Sequence, residues 1–155
     1  MQQKLIDGVV VVKLRKIADE RGHLMEILRN DDPHFEKFGQ VYITTNYPGV
    51  VKGWHYHAKQ TDFATCVHGM IKMALYDARN GSPTFGTVNE FFIGEHSPIA
   101  VKIPAGVYHG WKGISHYPSI TVNTVTEVYN YENPDEFRKD WKDPEIPYDW
   151  DIKMG

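Results

Sequence analysis

The sequence predicts an all-β protein built as one barrel or sandwich. Three observations carry this. Short runs rich in Val, Ile, Thr and aromatic residues recur along the chain, separated by Gly, Pro, Asn and Asp turn signals. Convincing helical periodicity is absent until a stretch near the C-terminal end. The chain has 155 residues, 41% of them hydrophobic, which suits a single domain with one core. We read 1–155 as that domain, with the barrel over about residues 8–130 and an arm over about 131–155.

In chain order, Val9-Val10-Val11-Val12 within Gly8 to Leu14 predicts a buried strand by β-branching and length. Asp19-Glu20-Arg21-Gly22 is a turn, and Leu24, Glu26 and Leu28 alternate with Met25, Ile27 and Arg29 as a second strand. Asn30-Asp31-Asp32-Pro33 breaks it, and Phe35 to Phe38 suits one helical turn. Val41 to Asn46 is a strand, and Tyr47-Pro48-Gly49 turns into a run centred on His55-Tyr56-His57. Phe63 to Val67 and Met70 to Asp77 are strands joined at Gly69, and Asn80-Gly81-Ser82-Pro83 is a turn. Gly86 to Ile93, Ile99 to Ile103, Val107 to Trp111 and Ser119 to Tyr129 complete the β runs. Pro134 to Trp141 reads as a short helix. The tail from Trp141 to Trp150, with Pro144 and Pro147, cannot be a central strand and is expected to dock as an extended arm.

Formal charge is −3 and no long basic run occurs, which disfavours nucleic acid as a partner. No apolar run approaches a membrane span, and Met1 to Asp7 lacks the apolar core of a signal peptide, so a cytoplasmic location is expected. The single cysteine, Cys66, is read as a buried structural thiol.

On a strand, His55 and His57 face one side and Tyr56 the other. Gly49-x5-His55-x-His57-x4-Asp62-x6-Gly69, followed by Pro104-x-Gly106-x2-His109, resembles the paired motifs of the cupin family, which implies a jelly-roll β-barrel. Gly113 stands where the second motif usually carries Asn.

Further patterns resemble the dTDP-4-dehydrorhamnose 3,5-epimerase family. They are Asp19-Glu20-Arg21-Gly22-x3-Glu26, Asn46 nine residues before His55, and Asp77-x-Arg79-x2-Ser82-Pro83-Thr84-Phe85-Gly86. Ile103-Pro104-x-Gly106-x2-His109-Gly110 and Trp141-x-Asp143-Pro144-x-Ile146-x2-Asp149-Trp150 complete the set. The resemblance implies a cytoplasmic homodimer acting on a nucleotide-linked 4-keto-6-deoxy sugar without a redox cofactor. By that resemblance His55 is the catalytic base. Arg21, Glu26 and Asn46 contact the nucleotide, Lys52 faces the substrate, and His109 lies in the sugar pocket.

Four positions depart from that family's pattern. Lys52 replaces an arginine, His57 a glutamine, and Asp62 a lysine near the ketone oxygen; the catalytic tyrosine falls near Asn123. Tyr129 and Tyr131, downstream on the same segment, are candidates for the catalytic tyrosine; aromatic packing is their simpler reading. His57 and Asp62 together restore a metal-binding pattern. His55, His57, Asp62 and His109 form a three-His, one-carboxylate set suited to Zn, Fe, Mn, Co or Ni. An imidazole on a metal cannot also be the base. Two alternatives therefore stand beside the epimerase reading: a metal-dependent cupin enzyme and a non-catalytic sugar-binding barrel. Plain roles also exist: Arg21 as a solvated turn charge, Asn46 as a turn former, and Asp77 to Gly86 as scaffold.

Overall fold

The structure, a computed structural model, describes residues 3–154. Among these there is no helix. The strands are β1 (Val10–Lys13), β2 (Lys16–Asp19), β3 (Gly22–Met25), β4 (Gln40–Asn46), β5 (Val51–Tyr56) and β6 (Asp62–His68), followed by β7 (Met70–Asp77), β8 (Val88–Gly94), β9 (Ile99–Ile103), β10 (Val107–Gly113), β11 (Ser119–Val125) and β12 (Phe137–Arg138). They form two five-stranded antiparallel sheets, ordered β1-β9-β6-β11-β4 and β12-β5-β10-β7-β8, with β2-β3 as a separate hairpin. From β4 to β11 the chain changes sheet at every connection except β7–β8. This interleaving is the jelly-roll architecture that the cupin resemblance implies.

The core lies between the sheets, where side chains of alternate residues meet. Ile71, Met73 and Leu75 of β7, Ile93 of β8, Val101 and Ile103 of β9 and Val107 of β10 are at most 1% exposed. Cys66 joins this cluster as a buried thiol, and burial pushes its pKa up to about 11. Gly69 makes the β6–β7 turn at φ +71°, with its missing Cβ directed at Ser119.

Several expectations give way to tertiary context. The four-valine run is not uniformly buried. β1 is a sheet edge, so Val9 is buried while Val10 is 36% exposed. The second strand stops at Met25 because its partner β2 begins at Lys16, the residue opposite. Phe35 to Phe38 forms no helical turn. Turn hydrogen bonds end at Phe35 N–H, and Gly39 N–H donates to Val125 O, drawing the segment out into β4. β11 ends at Val125, where the flanking strands also run out, at Gln40 and Asp62. Pro134 to Trp141 is not helical, since Phe137 and Arg138 pair with Tyr56 and His55 on the edge of β5. The arm does dock: Ile146 and Trp150 are buried against Trp54.

Candidate active site

β5 and β10 lie side by side with His55 opposite His109. Alternation would then place Gly53 opposite Trp111. Instead Lys52 is the residue opposite Trp111, because β5 carries one extra residue at this point. This bulge brings Lys52, three residues from His55, onto the inner side. The two strands approach closely here. A Cβ on Gly110 would lie 2.7 Å from Gly53 Cα and from Lys52 O, so only glycine fits.

The wall that results bounds a cavity of about 890 Å³, lined by β4, β5 and the segment from Tyr129 to Trp141. That volume suits a ligand larger than a single sugar. Gln40, Tyr42 and Thr44 face it from β4, and Lys52, His55 and His57 face it from the β5 side. Lys52 Nζ donates to Thr44 Oγ1 at 2.8 Å, spanning the two strands. Arg138 and Lys139 add positive charge at the rim, beside Glu136 and Asp140.

The three imidazoles converge, as the motifs imply. One ligand atom from each of His55, His57, Asp62 and His109 lies within 4.8 Å of the others. The His55 and His109 rings are 4.1 Å apart, and His57 stands 5.8 Å from each. Asp62 is 1% exposed and organises the group. Its Oδ1 accepts from Gln60 Nε2 at 2.6 Å, and its Oδ2 accepts from Asn123 Nδ2 at 2.9 Å. Oδ2 also lies 3.2 Å from His109 Nε2 and 3.9 Å from His57 Nε2. Burial alone would raise the Asp62 pKa. The contact with His109, the nearby imidazole charges and the Asn123 amide outweigh burial and hold the carboxyl below its ordinary range. Burial, then the charge of His109, lowers the His55 pKa well below the usual imidazole value. His55 is therefore neutral at pH 7 and carries a free lone pair.

Both supporting histidines are held from behind. His109 Nδ1 donates to Val107 O at 3.0 Å, and His57 Nδ1 donates to Asp135 O. Each ring then directs its Nε2 toward Asp62 Oδ2. Asp135 also accepts the backbone N–H groups of Ala58, Lys59 and Gln60, fixing the loop after β5. This pattern fits a divalent cation: backbone carbonyls occupy both Nδ1 atoms, and the two Nε2 atoms point at one carboxylate oxygen.

The remaining candidates divide. Tyr129 and Tyr131 line the cavity, their rings edge-to-face at 5.0 Å, but no hydrogen bond fixes either hydroxyl among the described residues. His109 is only 2% exposed and lies behind His55, off the cavity surface. Asn46 does not line the cavity. It is 1% exposed, accepting from Trp111 Nε1 at 3.0 Å and donating to Val50 O at 3.1 Å, which is the turn-former's role. Arg21 and Glu26 are also remote from this chain's cavity. Arg21 sits exposed at the tip of the β2-β3 hairpin paired with Asp19, and Glu26 pairs with Arg29. Sequence reasoning passed over Tyr42, Gln60, Trp111, Asp135 and Arg138. Tyr42 was legible as an inward position of β4; the others depend on loops and long-range pairing.

The family model described as dTDP-4-dehydrorhamnose 3,5-epimerase matches residues 3–155. The chain belongs to that family. It is 40% identical over 150 residues to the spore coat polysaccharide biosynthesis protein SpsL of Bacillus subtilis, covering 97% of this chain and 99% of that one. It is 42% identical over 151 residues to the probable low-salt glycan biosynthesis epimerase Agl13 of Haloferax volcanii, covering 96% and 97%. Among solved structures, a dTDP sugar isomerase from Desulfovibrio desulfuricans superposes with a TM-score of 0.88 at 29% identity, over 94% of this chain and 92% of the other. An epimerase of this family from Legionella pneumophila, in complex with dTDP-4-keto-L-rhamnose, gives 0.85 at 25% identity, over 97% and 82%. The epimerase family thus accounts for the fold. Three departures from its pattern, His57, Asp62 and Asn123, form one contiguous group in this member.

Proposed function

We propose that this protein is a carbohydrate epimerase that inverts a carbon beside the C4 ketone of a nucleotide-linked 4-keto-6-deoxyhexose, in deoxysugar or surface-polysaccharide synthesis. The carrying observation is a neutral His55 on the wall of a large cavity edged by Lys52, Arg138 and Lys139. The names of SpsL and Agl13 point to the same kind of biosynthesis.

A ketone acidifies the protons on its neighbouring carbons, because the electron pair left behind spreads onto oxygen as an enolate. His55 takes the proton as general base. Lys52, facing the cavity from the bulge, places positive charge where the enolate oxygen and the sugar lie. His109 acts from behind, packing edge-to-face on the His55 ring while its own Nε2 meets the Asp62 carboxylate. Arg138 and Lys139, paired here with Glu136 and with Asp143 and Glu145, would exchange those partners for the nucleotide's phosphates. The step is a proton exchange, so no redox cofactor is involved.

The protein acts in the cytoplasm as a homodimer. Val41 and Ile43, on the outer face of β4, are 54% and 66% exposed, an apolar pair that a second copy would cover. Arg21 and Glu26 touch nucleotide only if the partner's hairpin reaches this cavity.

A second reading rests on the carbonyl-fixed imidazoles. His55, His57, Asp62 and His109 would hold a divalent cation, which when bound supplies polarisation of the ketone oxygen. The two uses of His55 exclude each other, and one assay separates them. Incubated with a dTDP-4-keto-6-deoxyhexose in D2O, the wild type places deuterium at C3 or C5, and chelation leaves the rate unchanged. His55→Ala lowers uptake at least about 100-fold while keeping its fold. No uptake by the wild type would defeat the epimerase reading, and loss of uptake on chelation would favour the cation.

A further inference from the structure

Inversion needs an acid on the sugar face opposite His55. We propose that Tyr42 is that acid. The inference rests on the epimerase reading above.

Tyr42 belongs to β4, in one sheet, whereas His55 belongs to β5, in the other, and both line the same cavity. Its phenol is oriented. Asn123, its partner across the β4–β11 pair, donates Nδ2 to the Tyr42 oxygen at 2.9 Å and to Asp62 Oδ2 at 2.9 Å. The oxygen thus accepts one hydrogen bond, and no protein acceptor takes its O–H among the described residues. That proton is left for a ligand. Burial, then the Asp62 charge, raises the Tyr42 pKa, so the hydroxyl stays protonated.

The other protonated groups on the cavity wall suit the role less. Tyr131 is 89% exposed, and among the described residues no hydrogen bond orients its hydroxyl or that of Tyr129. Lys139 is paired with Asp143 and Glu145, and Lys52 lies on the same strand as the base.

The reaction balances as follows. His55 removes the proton, and the C–H electron pair becomes the enolate C=C while the carbonyl π pair moves to oxygen. The enolate carbon then takes the Tyr42 proton from the opposite face as the C=O bond re-forms. The phenolate regains a proton from water, and the His55 imidazolium releases its own to water, which restores both groups.

The test follows deuterium uptake and inversion separately, with a dTDP-4-keto-6-deoxyhexose in D2O. Tyr42→Phe keeps the ring, and Asn123 keeps its bond to Asp62. This variant should take up deuterium within a few-fold of the wild-type rate, with retained configuration, while inversion falls about 100-fold or more. Incorporating 3-fluorotyrosine at position 42 changes acidity with little change of shape, and should alter the inversion rate but not the exchange rate. Inversion by Tyr42→Phe at the wild-type rate would overturn the assignment, as would parallel loss of exchange and inversion in a variant that melts like the wild type. A wild type that exchanges nothing would instead sink the epimerase reading itself.

Discussion

Asp77 stands apart from the cavity and shows what a single carboxylate can fix. It is fully buried at the end of β7, and accepts from Arg79 Nε at 2.8 Å, Arg79 Nη2 at 2.9 Å, and the Ser82 and Thr84 hydroxyls at 2.6 Å each. Burial alone would raise its pKa, but these donors outweigh burial and hold the group below the ordinary carboxylate range. A depressed folded pKa means stability that is present above the unfolded value, about 3.9, and lost as pH falls through the folded one. Asp77→Asn should cost about 2–4 kcal/mol at pH 7. In urea titrations the gap to wild type should narrow below about pH 4, and a gap independent of pH would contradict this account. The Asp77-x-Arg79-x2-Ser82 spacing was readable as scaffold because the side-chain partners of the carboxylate all lie within seven residues of it. Asn46 was not: its function depends on Trp111, 65 residues away, and spacing on one strand carries no sign of that.

Among the elements, the C-terminal arm and β5 act together. Trp150 packs on Trp54 at 4.8 Å between ring centroids, and Trp54 directly precedes His55. Lys72 Nζ donates to Asp149 O and Asp151 O, and Lys112 Nζ to Trp150 O, so two strand lysines hold the arm by its carbonyls. Trp150→Ala should destabilise the protein by about 3–5 kcal/mol in denaturant melts. A loss under about 1 kcal/mol would mean that the arm is ornamental to stability. Prolines and tryptophans made the arm legible, since they forbid a central strand and favour burial. The helix expected from Pro134 to Trp141 failed because a free sheet edge captured two of its residues, a long-range effect that local periodicity cannot express. The β5 bulge was hidden for a related reason: alternation gives the faces of a regular strand, and the extra residue becomes visible only against β10.

For the molecule as a whole, two sheets leave β4 as an edge whose outer face carries Val41 and Ile43. If a second copy covers that face, wild type should scatter light as a dimer, and the double variant Val41→Asp, Ile43→Asp should scatter as a folded monomer. A monomeric wild type would end the dimer proposal. The β-barrel was legible throughout, because the motif histidines and the strand punctuation are local signals, whereas the cavity was only half legible, its far wall being β4 and its rim a segment whose one short strand, β12, forms only by pairing with β5. The Asp62 assembly has a consequence for anyone redesigning the pocket. Its parts come from both sheets, and Asp62 accepts from Gln60 and Asn123 while facing two imidazoles. A lysine placed there singly would meet donors on every side, so one-at-a-time libraries will score each position as intolerant. Only a combined exchange, altering carboxylate, amide and imidazole in one clone, can travel between this arrangement and another.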